Sequence, residues 1–178
     1  MRFLLLSDTH GKLSIVNELS AEVEADAVIH AGDFGFYDDD SYERISDREL
    51  RLHITHSGLD AATRDEILAL PREQRNEACR KLCPLSELPL FIEGRQRFDI
   101  PVYAVWGNHE DKEVVERFFR SELQLPNLFV LSHCKAYEVG PVLVYGVGGN
   151  HLPGPKMLQK PIAGTSGRPG SAVTNVGN

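Results

Sequence analysis

Short apolar runs that break off into polar clusters recur along the chain. Phe3 to Leu6 runs into Ser7-Asp8-Thr9-His10-Gly11, Ala27 to Ile29 into His30-Ala31-Gly32-Asp33, and Val102 to Trp106 into Gly107-Asn108-His109-Glu110. β-Prone runs of this kind, with no polar alternation, read as strands buried on both faces. Between the first two, Lys12 to Glu24 carries Leu13, Val16, Leu19 and Val23 at helical spacing. That spacing predicts a crossover helix returning the chain for a parallel strand. Ligands of open α/β sheets bind outside the carboxyl ends of the strands, so the three polar clusters are expected to meet at one edge.

From Tyr37 to Ile100 the charges and periodic apolar positions predict two or more helices, punctuated by Pro71, Pro84 and Pro89. Ser46 followed by Glu49 reads as a capping box. After the third strand, Lys112 to Leu123 predicts a helix. Leu128 to Leu131, Lys135 to Val139 and Val142 to Val147 predict strands, the last two joined through Gly140-Pro141. Gly, Pro, Ser, Thr and Asn then dominate Gly164 to Asn178. The expected organisation is one domain over residues 1–160 and a disordered tail over 161–178.

The length of 178 residues with 42% apolar content suits a single domain with a true core. Nineteen basic against 26 acidic residues give a net charge of -7, and no Lys/Arg stripe is present to track a phosphate backbone. Duplex nucleic acid is therefore not expected as the main partner. An acidic protein that handles phosphate needs bound cations to reverse the local field. Phe3 to Leu6 is too short for a signal-peptide core, and no stretch has the length of a membrane span. The three cysteines, an odd count, argue against a disulfide framework and for a reducing, cytoplasmic setting.

Asp8-x-His10 sets a carboxylate and an imidazole two residues apart at a strand end. Gly32-Asp33 adds a second carboxylate beside a glycine that permits close approach, and Gly107-Asn108-His109 adds an amide oxygen and a second imidazole. Each alone is as well explained by a helix cap or an ordinary histidine; three such clusters at strand ends point to a divalent metal such as Mn, Fe or Zn. Asp38-Asp39-Asp40 reads as an acidic loop capping a helix near Ser41. Cys79 and Cys83 read as a buried helix face, and His53 and His56 as surface groups. The segment between the second and third strands is placed to act as a lid.

Together, Ser7-Asp8-Thr9-His10-Gly11, Ala31-Gly32-Asp33 and Trp106-Gly107-Asn108-His109-Glu110 resemble the D-x-H, G-D and G-N-H-[DE] signatures of calcineurin-like metallophosphoesterases. Tyr145-Gly146-Val147-Gly148-Gly149 resembles the strand and glycine turn that follow, so the likeness spans Met1 to Gly149. The resemblance implies an α/β fold: an incomplete β-sandwich of mixed sheets flanked by helices, with a helical insertion at about 37–100 between the second and third motif strands. It implies hydrolysis of a small phosphomonoester or phosphodiester by a dimetal-activated water. By the same resemblance Asp8 and His10 bind the first metal, Asp33 bridges both, Asn108 binds the second, and His109 protonates the departing alkoxide.

The chain also departs from that pattern. The family's later lone histidine and G-H-x-H motif have no counterpart, since His133 and His151 fall too early. The first ion keeps Asp8, His10 and Asp33, and the second only Asp33 and Asn108, so one bound ion with little turnover is expected where the complete site holds two. One sheet face is expected to lie partly uncovered by this chain: either the chain is truncated, or a second copy in a homo-oligomer covers the gap. Phe36 stands where the family's protein phosphatases carry a further Asp that orients the catalytic histidine, which argues against a protein phosphatase. The alternative function is a catalytically silent scaffold of the same fold that binds protein partners.

Overall fold

The computed structural model describes residues 1–132 and 135–149. The expected tail at 161–178 and both His133 and His151 lie outside the described residues. In chain order the elements are β1 (Phe3–Leu6), α1 (Ser14–Glu22) and β2 (Ala27–His30), followed by α2 (Ser41–Arg44), α3 (Asp47–Thr55), α4 (Ala61–Ala69), α5 (Arg72–Leu82) and α6 (Leu88–Ile92). Then come β3 (Val102–Ala104), α7 (Lys112–Phe119), β4 (Leu128–Val130), β5 (Ala136–Val139) and β6 (Val142–Tyr145).

Strands β1 to β4 form one sheet in the order β1-β2-β3-β4, every neighbour parallel. β5 and β6 pair antiparallel as a separate hairpin. The first and seventh helices are shorter than their apolar spacing predicts, ending at Glu22 and Phe119. In each case a non-glycine residue soon turns left-handed, Glu24 at φ 52° and Ser121 at φ 60°, and no helix continues through that conformation.

Period-2 geometry divides the parallel sheet into two faces. Val28, Val102, Ala104 and Leu128 are buried with Leu13 and Val16 around α1, Val114 and Val115 of α7, and the aromatic rings of Phe34, Phe36 and Phe98. Leu5, Ile29, Tyr103 and Phe129 stand in register on the opposite face. There Leu5 is 71% and Phe129 46% exposed.

The helices between β2 and β3 bury a second cluster of their own, built from Tyr37, Tyr42, Leu50, Ile54, Ile67, Cys79, Cys83 and Leu85. Ser46 caps α3 by accepting the Glu49 N–H at 3.1 Å. Only this half of the expected capping box forms. The acidic loop also differs from its expectation as a helix cap. Asp40 takes the N-cap position of α2 without a side-chain hydrogen bond. Asp38 is buried and paired with Arg44 and Arg117. Asp111 accepts from Ser41 Oγ at 2.6 Å and Arg44 Nε at 2.7 Å. This charged network fastens α2 to α7 and so fixes the helical segment to the sheet. Among the described residues no helix is long and apolar enough to cross a membrane.

Candidate metal centre

The carboxyl ends of β1, β2 and β3 lie side by side because the ladder continues past the strands into the loops. Ala31 N–H donates to Leu6 O at 2.8 Å, Asp8 N–H to Gly32 O at 3.0 Å, His10 N–H to Asp33 O at 2.9 Å and Val105 N–H to His30 O at 3.1 Å. Within this frame Asp8, His10 and Asp33 turn left-handed, at φ 58°, 46° and 51°. Such backbone costs a non-glycine residue roughly 1–2 kcal/mol, although Asp and His tolerate it better than most. The turn brings one ligand atom from each of the three within 4.8 Å of the other two.

The third loop closes on the second. Asn108 and His109 N–H groups donate to Asp33 Oδ1 at 3.0 and 3.2 Å. A Cβ at position 107 would lie 1.9 Å from that oxygen and 2.4 Å from the Asp33 nitrogen, so only glycine lets the loops approach this closely. Asn108 itself is exposed and meets the cluster through its backbone. Glu110 is a residue whose role sequence reasoning missed. Its carboxyl accepts from Phe34 N at 2.7 Å, Gly35 N at 3.0 Å, Phe36 N at 2.5 Å and Gly107 N at 3.4 Å. Burial pushes its pKa up to about 7, although the four N–H donors favour the ionised form.

His109 lies beside the cluster, its ring centroid 5.9 Å from that of His10. Its Nδ1 is 2.5 Å from Glu49 Oε1. That hydrogen bond raises the His109 pKa above the ordinary imidazole value, against partial burial, which lowers it. The acidic partner that the second motif lacks is therefore supplied from α3, while Phe36 is wholly buried in the core. The absence of an Asp at position 36 thus loses its weight as an argument about substrate. The sequence did contain a signal for Glu49, the capping-box spacing. That spacing sends a glutamate back to its own helix start, not sixty residues along the chain.

Beneath the loops, His30 is buried and its tautomer follows from its partners. The Thr9 hydroxyl uses its proton on Phe34 O at 3.0 Å, so it accepts from His30 Nε2–H at 3.1 Å. His30 Nδ1 in turn accepts the Gly32 N–H at 3.4 Å. A second ring proton would face that N–H, and burial lowers the His30 pKa to about 4.

A cavity of about 860 Å³ opens from the cluster toward the helical segment. Its lining combines the polar Asp8, His10, Glu49 and His109 with the apolar Leu52, Leu59, Leu82, Pro84 and Leu85. His53, expected at the surface, is half-buried here and hydrogen-bonds through Nε2 to Cys83 O at 2.9 Å. It belongs to the wall because α3 packs its buried side against α5. Carboxylate, imidazole and amide donors on rigid loops fit a hard or borderline divalent ion, and the clustered Asp8, His10 and Asp33 atoms provide the room for one.

Fold and site together define a parallel α/β protein with a mixed carboxylate–imidazole centre at the carboxyl edge of its sheet. The family model for calcineurin-like phosphoesterases matches residues 1–156, and the chain belongs to that family. Its members are metal-dependent hydrolases of phosphate esters. No curated protein and no solved structure matches the chain significantly.

Two consequences of this geometry are measurable. With His30 held near pKa 4 in the folded protein against 6.5 when unfolded, the unfolded chain binds the extra proton between those values. Stability is therefore lost as pH falls from about 6.5 to 4, by roughly 3 kcal/mol for this group. Urea unfolding at pH 7 and pH 4.5 should show a shallower loss in His30→Asn than in wild type; equal slopes would remove His30 as the cause. The second consequence concerns Asp8. Because its backbone is left-handed, Asp8→Gly should be about 1 kcal/mol more stable than Asp8→Ala in metal-free protein. Equal stability of the two variants would contradict the strained conformation.

Proposed function

We propose that the protein hydrolyses a small phosphomonoester or phosphodiester at the Asp8, His10, Asp33, Asn108 and His109 edge. The observation that carries this reading is the convergence of Asp8, His10 and Asp33 within 4.8 Å beside His109. Asp8, His10 and Asp33 would hold one divalent ion, and Mn, Fe or Zn suits these donors; Asp33 with Asn108 would offer a second ion only two ligands. Such ions supply neutralisation of the phosphate charge and an activated water.

His109 gives its proton to the leaving oxygen. Glu49 occupies Nδ1, so Nε2 is the nitrogen that carries the transferable proton, and the raised pKa keeps the imidazolium populated. Glu49 also fixes the ring's orientation, which would otherwise be lost each time the half-buried imidazole rotated. The cavity beside the cluster has an apolar wall and room for an organic group on the ester. A reducing, cytoplasmic setting fits Cys79 and Cys83, which carry free thiols although their sulfurs lie 3.5 Å apart.

The test is hydrolysis of an aryl phosphate and an aryl phosphodiester with added Mn²⁺, alongside Mn²⁺ binding by calorimetry. Asp33→Ala should abolish both binding and hydrolysis. His109→Ala should keep binding and lose about 10²–10⁴-fold in rate. Glu49→Gln should slow esters of alkyl alcohols more than nitrophenyl esters, whose leaving group needs no proton. Hydrolysis that persists in Asp33→Ala, or Mn²⁺ binding that does not depend on Asp33, would contradict the assignment.

A further inference from the structure

A second set of metal-ligating side chains converges on the cavity wall, away from the strand-end loops. His53 on α3 and Cys79 and Cys83 at the C-terminal end of α5 each place one ligand atom within 4.8 Å of the other two. The two cysteines are four residues apart, Cys79 in the last turn of α5 and Cys83 at its C-cap, and their sulfurs are 3.5 Å from each other. His53 is held beside them by the bond from its Nε2 to Cys83 O, a carbonyl that also accepts from the Cys79 thiol at 3.0 Å. Cys79 is fully buried and Cys83 8% exposed, and neither is oxidised.

The dimensions suit zinc. Zinc–sulfur bonds of about 2.3 Å and zinc–nitrogen bonds of about 2.0–2.1 Å put the donors of a tetrahedral site about 3.5–3.8 Å apart. The sulfur pair already has that spacing. The imidazole must close by about an ångström at most, exchanging its bond to a carbonyl for one to the metal. His53, Cys83 and Ser57 all border the cavity, so an ion has an entry path and an open fourth position for water. Two thiolates with an imidazole are soft donors, chemically distinct from the carboxylate-rich set at Asp8, His10 and Asp33. We propose that His53, Cys79 and Cys83 form a zinc site separate from the phosphoester site.

Binding releases two thiol protons as the two Zn–S bonds form, with no change of oxidation state. The more acidic thiol is Cys83, whose pKa is lowered first by the hydrogen bond to Cys79 and further by Ser57; that of Cys79 is raised. The site also reaches the phosphoester centre mechanically. Glu49 and His53 lie one turn apart on α3, so zinc joining α3 to α5 braces the helix that presents Glu49 to His109.

The experiment uses the full, reduced chain with Asp33→Ala disabling the first centre, and Co²⁺ as a spectroscopic stand-in for zinc. Expected are a thiolate-to-cobalt charge-transfer band, its displacement by one equivalent of Zn²⁺, and loss of the band in Cys83→Ser. His53→Gln should weaken zinc binding about tenfold or more while retaining a thiolate band. Circular dichroism checks that both variants fold; Cys79→Ser is avoided because Cys79 is wholly buried. Absence of a thiolate band in the Asp33→Ala chain, or a band unchanged by Cys83→Ser, would overturn the proposal.

Discussion

The half-buried Glu110 carboxyl holds the site together. It gathers the N–H groups of Phe34, Gly35 and Phe36 from the second loop and of Gly107 from the third. Without it these donors would be buried and unpaired, each at a cost of about 1–3 kcal/mol. With it, the second loop is pinned in the conformation that turns Asp33 left-handed and the third loop is pressed against the Asp33 side chain. The first loop is then fixed to the second by backbone pairing from Asp8 to Gly11, whose N–H donates to Phe34 O at 3.0 Å. Phe34 and Phe36 anchor the same segment from below by entering the sheet core.

Under the proposed metal role, the strain this arrangement maintains has a use. Six non-glycine residues among those described have positive φ, and Asp8, His10 and Asp33 are half of them. Local propensity would relax these backbones. Loops tied to a parallel sheet and to the Glu110 carboxyl resist that relaxation, so the three side chains would be converged before an ion bound. A preformed set of donors loses less entropy on binding than one that must be assembled.

Much of this was legible in the sequence. Unbroken apolar runs such as Phe3 to Leu6 marked buried strands, and the switch to Asp, His, Gly and Asn marked where they ended. A parallel sheet then leaves only one edge where those ends can meet, so Asp8, His10 and Asp33 could be grouped without coordinates. Residues that act across long sequence separations were not legible. Glu49 looked like a capping residue because its local role is real; its distant role depends on how α3 packs over His109. His53 looked like a surface group on a charged helix, yet packing of α3 on α5 turned it inward. Asp38 failed for a similar reason, since Arg44 and Arg117 meet it only in the folded chain.

The proposed function requires Asp8, His10 and Asp33 to hold a divalent ion, which anomalous diffraction from crystals grown with Mn²⁺ would reveal. Expected is a manganese peak shared by the side chains of Asp8, His10 and Asp33, at the carboxyl ends of β1 and β2. Manganese bound elsewhere, or no peak at saturating Mn²⁺ while these three side chains keep their present arrangement, would contradict it.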